Sequence, residues 1–144
     1  MSVGRICVRQ VDTAEPGETA QDAAQRMLDR KVGTLVVVNE AREPIGIITD
    51  RDLTIRVVAE GRDAISTPVE EVMTARPRCI VTETSIDEAL RIMRSGEYRR
   101  LPVVSGRTLI GFVSLDDILD HMLEDFSNIR GLLQEESPRS LASV

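Results

Sequence analysis

The sequence predicts an α/β (α+β) fold: two β-α-β-β-α repeats packed on each other with pseudo-two-fold symmetry. Three observations carry this reading. Gly46-Ile-Ile-Thr-Asp-Arg-Asp-Leu53 recurs as Gly111-Phe-Val-Ser-Leu-Asp-Asp-Ile118. At one constant offset, Ala23, Met27, Leu35, Val37 and Val38 meet Ala89, Met93, Leu101, Val103 and Val104. A second hairpin loop one residue shorter then brings Ile45, Gly46 and Asp52 onto Ile110, Gly111 and Asp117. The same order of elements with a single compensating gap marks an internal repeat. Each half, at roughly sixty residues, is marginal as an independent core, so the two must share one.

The elements follow in chain order. Arg5-Ile-Cys-Val8 reads as a turn or short strand, and Val11-Asp-Thr-Ala14 as a second short piece. Pro16-Gly17 then breaks the chain. Thr19 caps a helix with Asp22 three residues on, and Ala20, Ala23, Ala24, Met27 and Leu28 share a face. Leu35-Val-Val-Val38 is an unbroken apolar run, as suits a strand covered on both sides. Residues 39–44 form a polar hairpin loop, and Ile45-Gly-Ile-Ile48 returns. A helix is expected from Asp50 to Glu60, ended by Gly61. Residues 61–71 read as a polar connection.

The order then repeats. Ile80-Val81 is a short strand, Ser85 caps a helix with Glu88 at its third position, and Gly96 closes that helix. Leu101-Pro-Val-Val104 and Thr108–Val113 make a hairpin around Ser105-Gly106-Arg107. A last helix carries Ile118, Leu119, Met122, Leu123 and Phe126 on one side and extends or restarts to about Glu135. Beyond Pro138 a disordered tail is expected. The boundaries are 3–62 for the first repeat, 72–125 for the second, and 126–144 for a helical extension and tail.

Composition bounds the function. The chain has 144 residues, 42% hydrophobic and 29% charged, as in ordinary globular proteins. Aromatic residues are 2%, with no Trp, which argues against stacking platforms for single-stranded nucleic acid. A net charge of −6 disfavours nucleic acid and anionic membranes as partners. Cys7 and Cys79 lack metal-like spacing and read as small buried apolar residues. Without a leader or a membrane-length apolar run, a cytoplasmic location is the expectation. One histidine (His121), no nucleophile–base pair and no Walker-type glycine loop leave no catalytic residues to name. Asp116, Asp117 and Asp120 read as acids at a helix start rather than a magnesium site, and no metal is expected.

The repeated stretch is the functional candidate. It reads as a buried strand turning into a helix, whose N-terminus exposes unpaired N–H groups and suits an anion. Thr49 with Asp52, and Ser114 with Asp117, place a hydroxyl and a carboxylate where they would hold a ribose. The same spacing is a capping box, as in Thr19–Asp22 and Ser85–Glu88, which needs helix physics only. Both readings stand at this point. Arg99 and Arg100 precede a strand where the first repeat has Gly33 and Thr34, so the two sites should differ. The pair suits phosphates, joined by Arg51, or is a solvated surface pair. Tyr98 beside them lines a cleft or a subunit contact.

These residues, together with Arg100-Leu-Pro-Val-Val104 and Val72-Met-Thr74, resemble the tandem cystathionine-β-synthase (CBS) motif, the CBS pair or Bateman module. The resemblance covers about residues 3–125 and implies a standalone pair with two clefts between the repeats. It implies a regulatory module, not an enzyme, that binds AMP, ADP, ATP, S-adenosylmethionine or NAD-type ligands and requires no cofactor. The family's ribose-binding Asp maps to Asp52 and Asp117, and the hydroxyl near the phosphate to Thr49 and Ser114. By alignment of the repeats, Thr13 and Ala14, and Cys79 and Ile80, would flank the adenine. A homodimer is implied, in keeping with the apolar Met122, Leu123 and Phe126, as is an effector protein that reads the module. The alternative is an interaction module whose clefts stay empty.

Overall fold

The computed structural model describes the backbone of residues 1–142 and the side chains of residues 1–135. The first repeat runs β1 (Thr13–Ala14), α1 (Ala20–Arg30), β2 (Thr34–Val38), β3 (Pro44–Thr49) and α2. Helix α2 opens with an α-turn, Asp50–Asp52, and continues as a wider π-helix, Leu53–Val58. Short α3 (Val69–Val72) and β4 (Thr74–Ala75) follow. The second repeat runs β5 (Ile80–Val81), α4 (Ile86–Gly96), β6 (Arg100–Ser105), β7 (Thr108–Ser114) and α5 (Leu115–Ala142).

Two sheets result, ordered β1-β2-β3-β4 and β5-β6-β7. In each, the leading strand is parallel to the next and the hairpin is antiparallel. The hairpins share an irregularity, between Val37 and Val38 and between Val103 and Val104, so the repeat extends to a local fault in register.

Each repeat is sealed by a segment from outside its own β-α-β-β-α run. Strand β4, after the first repeat, pairs with β3 through Gly46–Ala75 and Ile47–Thr74. On the other side, Val8 bridges Phe112 of β7. Val3, fully buried, sits in the core of the second repeat with Leu101, Val103, Val113 and Ile118. Its N–H donates to the Thr84 carbonyl at 2.8 Å. The glycines of the repeated motif make room for these visitors. A Cβ on Gly46 would lie 2.2 Å from Sδ of Met73, and one on Gly111 would lie 3.0 Å from Sγ of Cys7.

The first core gathers Ala23, Met27, Leu35, Val37, Ile48 and Val57, with Val69 and Val72 of α3. The stretch 61–71, read as a polar connection, therefore contributes one core residue, Val69, and leads directly into another, Val72. Fully burying side chains such as Leu35, Ile48 or Leu101 stabilises by roughly 1.5–3 kcal/mol each. A third cluster, Val36, Val38 and Leu109 with Val11 and Phe112 against it, joins the repeats. There the Leu109 N–H donates to the Arg42 carbonyl at 2.9 Å.

Several helix limits differ from the sequence reading. Helix α4 closes at Gly96 as expected, but the left-handed cap that follows is Glu97, at φ 56°, and not a glycine. The helix expected to reach about Glu60 has its last regular residue at Val58, and Gly61, at φ 68°, terminates it as expected, its N–H donating to the Val58 carbonyl at 3.1 Å. Helix α5 runs without a break to Ala142, so the tail expected to be disordered after Pro138 has a helical backbone that far. The end of that tail, Ser143 and Val144, lies outside the described residues.

Candidate functional site

Both strand-to-helix turns close as reciprocal capping boxes. The Thr49 N–H donates to Oδ2 of Asp52 at 3.0 Å, and the Asp52 N–H donates to Oγ1 of Thr49 at 3.1 Å. The Ser114 N–H donates to Oδ2 of Asp117 at 2.9 Å, and the Asp117 N–H donates to Oγ of Ser114 at 3.1 Å. Capping consumes one carboxylate oxygen in each box. Oδ1 of Asp52 lies 3.8 Å from Nε of Arg56, whose Nη1 donates to the Val72 and Met73 carbonyls at 3.2 and 2.9 Å. Asp52 is thus held beside the segment that seals the first repeat.

Each box opens on a cleft between the repeats. Cleft one, about 320 Å³, places Thr49 and Asp52 opposite Tyr98, Arg99 and Arg100, with Arg76, Pro77 and Arg78 along one side. Cleft two, about 300 Å³, places Ser114 and Asp117 opposite Val32, Gly33 and Thr34, with Gln10, Val11 and Asp12 along one side. The repeat offset relates the two sets position by position. One repeat supplies the hydroxyl and carboxylate, and the other supplies the facing tripeptide and the entry segment.

Equivalent positions carry different charges. Cleft one holds Arg76, Arg78, Arg99 and Arg100 against Asp52 and Glu97. Cleft two holds Asp12, Asp116 and Asp117 against Arg100 alone, and Asp12 is engaged by Nε of Arg30 at 2.8 Å. Guanidinium forks match phosphate oxygens in two-point contacts, so the first cleft suits a phosphorylated ligand and the second disfavours one. Oγ1 of Thr34, at cleft two, is buried without a hydrogen-bond partner, the only such side-chain atom found among the described residues. A ligand group or water there would relieve it.

The structure thus brings Thr49, Asp52, Arg99 and Arg100 into one cleft, and Ser114 and Asp117 into the other. Arg51 is exposed on the first turn of α2 and lines neither. Of the residues proposed beside adenine, none lines a cleft. Ala14 and Ile80 are buried in the two cores, and Cys79 is half-buried with its Sγ 3.5 Å from the Pro77 carbonyl. Burial pushes the Cys79 thiol up, partly offset by Arg78. Thr13 borders grooves on the other side of β1. The residues that line the clefts, 10–12 and 76–78, stand just upstream of these, where the chain enters each sheet. The repeat offset already related them, but they carry no motif of their own.

A larger groove, about 700 Å³, runs along β1 and α1. Its arginines are already engaged, Arg26 by Glu18 and Arg30 by Asp12. Glu15, Asp22 and Asp29 leave the remaining wall acidic, which makes it a poor phosphate site despite its size. Among the described residues no group of three or more His, Cys, Asp and Glu gathers as a metal site, and no helix is long and apolar enough to cross a membrane.

Two β-α-β-β-α units, each with its own core and joined by a third apolar cluster, with a capped helix start facing each of two inter-repeat clefts, define a tandem-repeat module. The chain belongs to the CBS-domain family, which it matches twice, over residues 3–59 and 69–124. It is 36% identical over 126 residues to the CBS domain-containing protein YhcV of Bacillus subtilis, covering 88% of this chain and 89% of that one. It is 39% identical over 120 residues to an uncharacterized protein of Methanopyrus kandleri, covering 83% of this chain but only 61% of that protein. Among solved structures, a protein with CBS domains from Burkholderia ambifaria matches at TM-score 0.79 and 32% identity, over 87% of this chain and 96% of that one. A hexameric CBS-CP12 protein from bloom-forming cyanobacteria matches at 0.75 and 30%, over 83% and 66%.

Proposed function

We propose that this chain is a non-catalytic regulatory module that binds an adenosine-containing, phosphorylated ligand in cleft one. AMP, ADP, ATP and NAD fit that description. The observation that carries it is the meeting of Arg76, Arg78, Arg99 and Arg100 with the Thr49–Asp52 box in one cleft. The arginines would meet the phosphates, and the Asp52 oxygen not used in capping would accept from ribose hydroxyls. With few aromatic residues, the base would be held by aliphatic contacts and backbone groups. S-adenosylmethionine, which lacks phosphate, would gain nothing from the arginines. Self-association, as a homodimer, and a separate effector protein that reads it complete the proposal. A ligand can act on that effector only by preferring one arrangement of the module.

Titration calorimetry of nucleotide-free protein with AMP, ATP, NAD and S-adenosylmethionine tests this, repeated on Asp52→Ala and Asp117→Ala. Saturable binding of phosphorylated ligands, lost in Asp52→Ala and kept in Asp117→Ala, is the expected result. The second reading, an interaction module with empty clefts, draws on one observation: both capping boxes are complete without any ligand. Absence of heat and of any melting shift would favour it.

A further inference from the structure

Arg56 stands between the two chemical halves of cleft one. Its Nε lies 3.8 Å from Oδ1 of Asp52, the oxygen that capping leaves free. Its Nη1 donates to the Val72 and Met73 carbonyls at 3.2 and 2.9 Å. Those carbonyls end α3, where orphan acceptors suit a guanidinium. The cap uses Nη1, and Nε turns to Asp52. From Met73 the chain passes through β4, which pairs with β3, directly to Arg76 on the wall of cleft one. Arg76 sits at φ 53°, in the left-handed region that L side chains seldom adopt, and its N–H donates to the Ile45 carbonyl at 3.2 Å. Such a conformation persists only where its surroundings fix it. Arg56 anchors the chain just before this bend, and Ile45 anchors it at the bend.

The second repeat is built differently at the same place. The repeat offset sets His121 where the first repeat has Arg56, and Asp117 where it has Asp52. Nε2 of His121 lies 3.3 Å from Oδ2 of Asp125, further along its own helix. The helices differ as well. Leu53–Val58 is a π-helix that carries Arg56, whereas the equivalent stretch of α5 is regular α-helix. Wide turns of that kind are frequent at functional positions.

We propose that Arg56 is a positioning residue for cleft one. Its guanidinium fixes the spacing between the free oxygen of Asp52, which accepts from ribose hydroxyls, and Arg76 and Arg78, which meet phosphate. Arg56 does not itself line the cleft, so it acts through the carboxylate on one side and the backbone on the other. The inference rests on the ligand reading above and adds the residue that couples its two halves. Loss of Arg56 therefore weakens the recognition of ribose and of phosphate together, and leaves contacts to the base unchanged.

The test is titration calorimetry of the full chain with AMP, adenosine and dideoxy-AMP, on wild type, Arg56→Met and Arg56→Lys, with circular dichroism to verify folding. The affinity ratio of AMP to adenosine reads the phosphate contacts. The ratio of AMP to dideoxy-AMP reads the ribose hydroxyls. Arg56→Met is expected to lower both ratios by roughly threefold or more, the size of coupling carried between residues in contact. Lysine keeps the charge but has one nitrogen, so Arg56→Lys should recover one ratio at most. That milder variant carries the test alone if Arg56→Met does not fold. Wild type that binds no AMP overturns both this inference and the proposed function. AMP binding with both ratios unchanged in Arg56→Met overturns the positioning role alone, and so does an equal loss for all three ligands, which marks a structural prop. Recovery of both ratios in Arg56→Lys overturns the two-sided hold.

Discussion

Thr34 and Arg100 hold equivalent places in the two hairpins: Thr34 pairs across its sheet with Thr49, and Arg100 pairs with Ser114. One position of the repeat thus carries a buried, unpartnered hydroxyl in one copy and an exposed guanidinium in the other. The clefts share a backbone plan and differ in the charge that lines it.

Ligand affinity should follow that difference. Arg78→Gln, which alters cleft one alone, is expected to weaken AMP binding by roughly tenfold or more, the usual consequence of losing a hydrogen bond to a charged group. Adenosine, without phosphate, should be affected far less. Calorimetry with both ligands checks this. Equal losses for the two would place the arginine away from the phosphate.

The caps supply an internal control. Thr49→Ala, Ser114→Ala and Thr19→Ala each remove a side chain that accepts an N–H at a helix start. Each should cost about 1 kcal/mol in urea unfolding. Only Thr49→Ala should also reduce AMP affinity, since Thr19 faces no cleft between the repeats. If Thr19→Ala weakened AMP binding as much, the ligand effect would be a matter of global stability.

The glycine of the repeated motif should resist substitution because of its neighbour. In Gly46→Ala the new methyl meets Met73, which must swing aside, at a cost of about 1–3 kcal/mol. Met73→Ala removes the obstacle while losing its own packing. The double variant should therefore be more stable than the sum of the single losses, a coupling that a double-mutant cycle by denaturant unfolding measures directly.

Acid should weaken the tie between β1 and α1. The Arg26 guanidinium beside Glu18 holds that carboxyl below its ordinary range, and Arg26 also donates to the Thr13 carbonyl at 2.9 Å. A carboxylate lowered in the folded state stabilises above its unfolded pKa, and that contribution is lost as pH falls through the folded value. Glu18→Gln should thus be less stable than wild type at pH 7, by up to about 1 kcal/mol for a partly exposed pair. The difference should shrink as both are taken below pH 4. Paired melting curves across pH 3–7 test the sign.

Much of this architecture was legible in the residues. The offset between Leu35–Val38 and Leu101–Val104 locates both hairpins, and Thr19, Thr49, Ser85 and Ser114 announce four helix starts through their own local hydrogen bonds. Local rules miss what distant chain supplies. Val3 stands between Ser2 and Gly4 in a segment with no helix or strand period, and nothing nearby says that it fills the second core. Val69 and Val72 are hidden in the same way behind Pro68 and two glutamates. The cleft-lining residues 10–12 and 76–78 have no shared chemistry, because the feature that unites them is position alone. Pro138 reads as a stop, yet the helix continues past it.

The crossed seating of Val3–Val8 also sets a timetable for synthesis. Val8 leaves the ribosome about a hundred residues before Phe112, its bridging partner on β7. At 5–20 residues per second that is a wait of roughly 5–20 seconds. The first repeat can close once α3 and β4 emerge. The N-terminal segment stays unpaired until the second repeat emerges to receive it, so closing that repeat is the last step of the chain's birth and the stage at which the segment could instead seat on a neighbouring nascent copy.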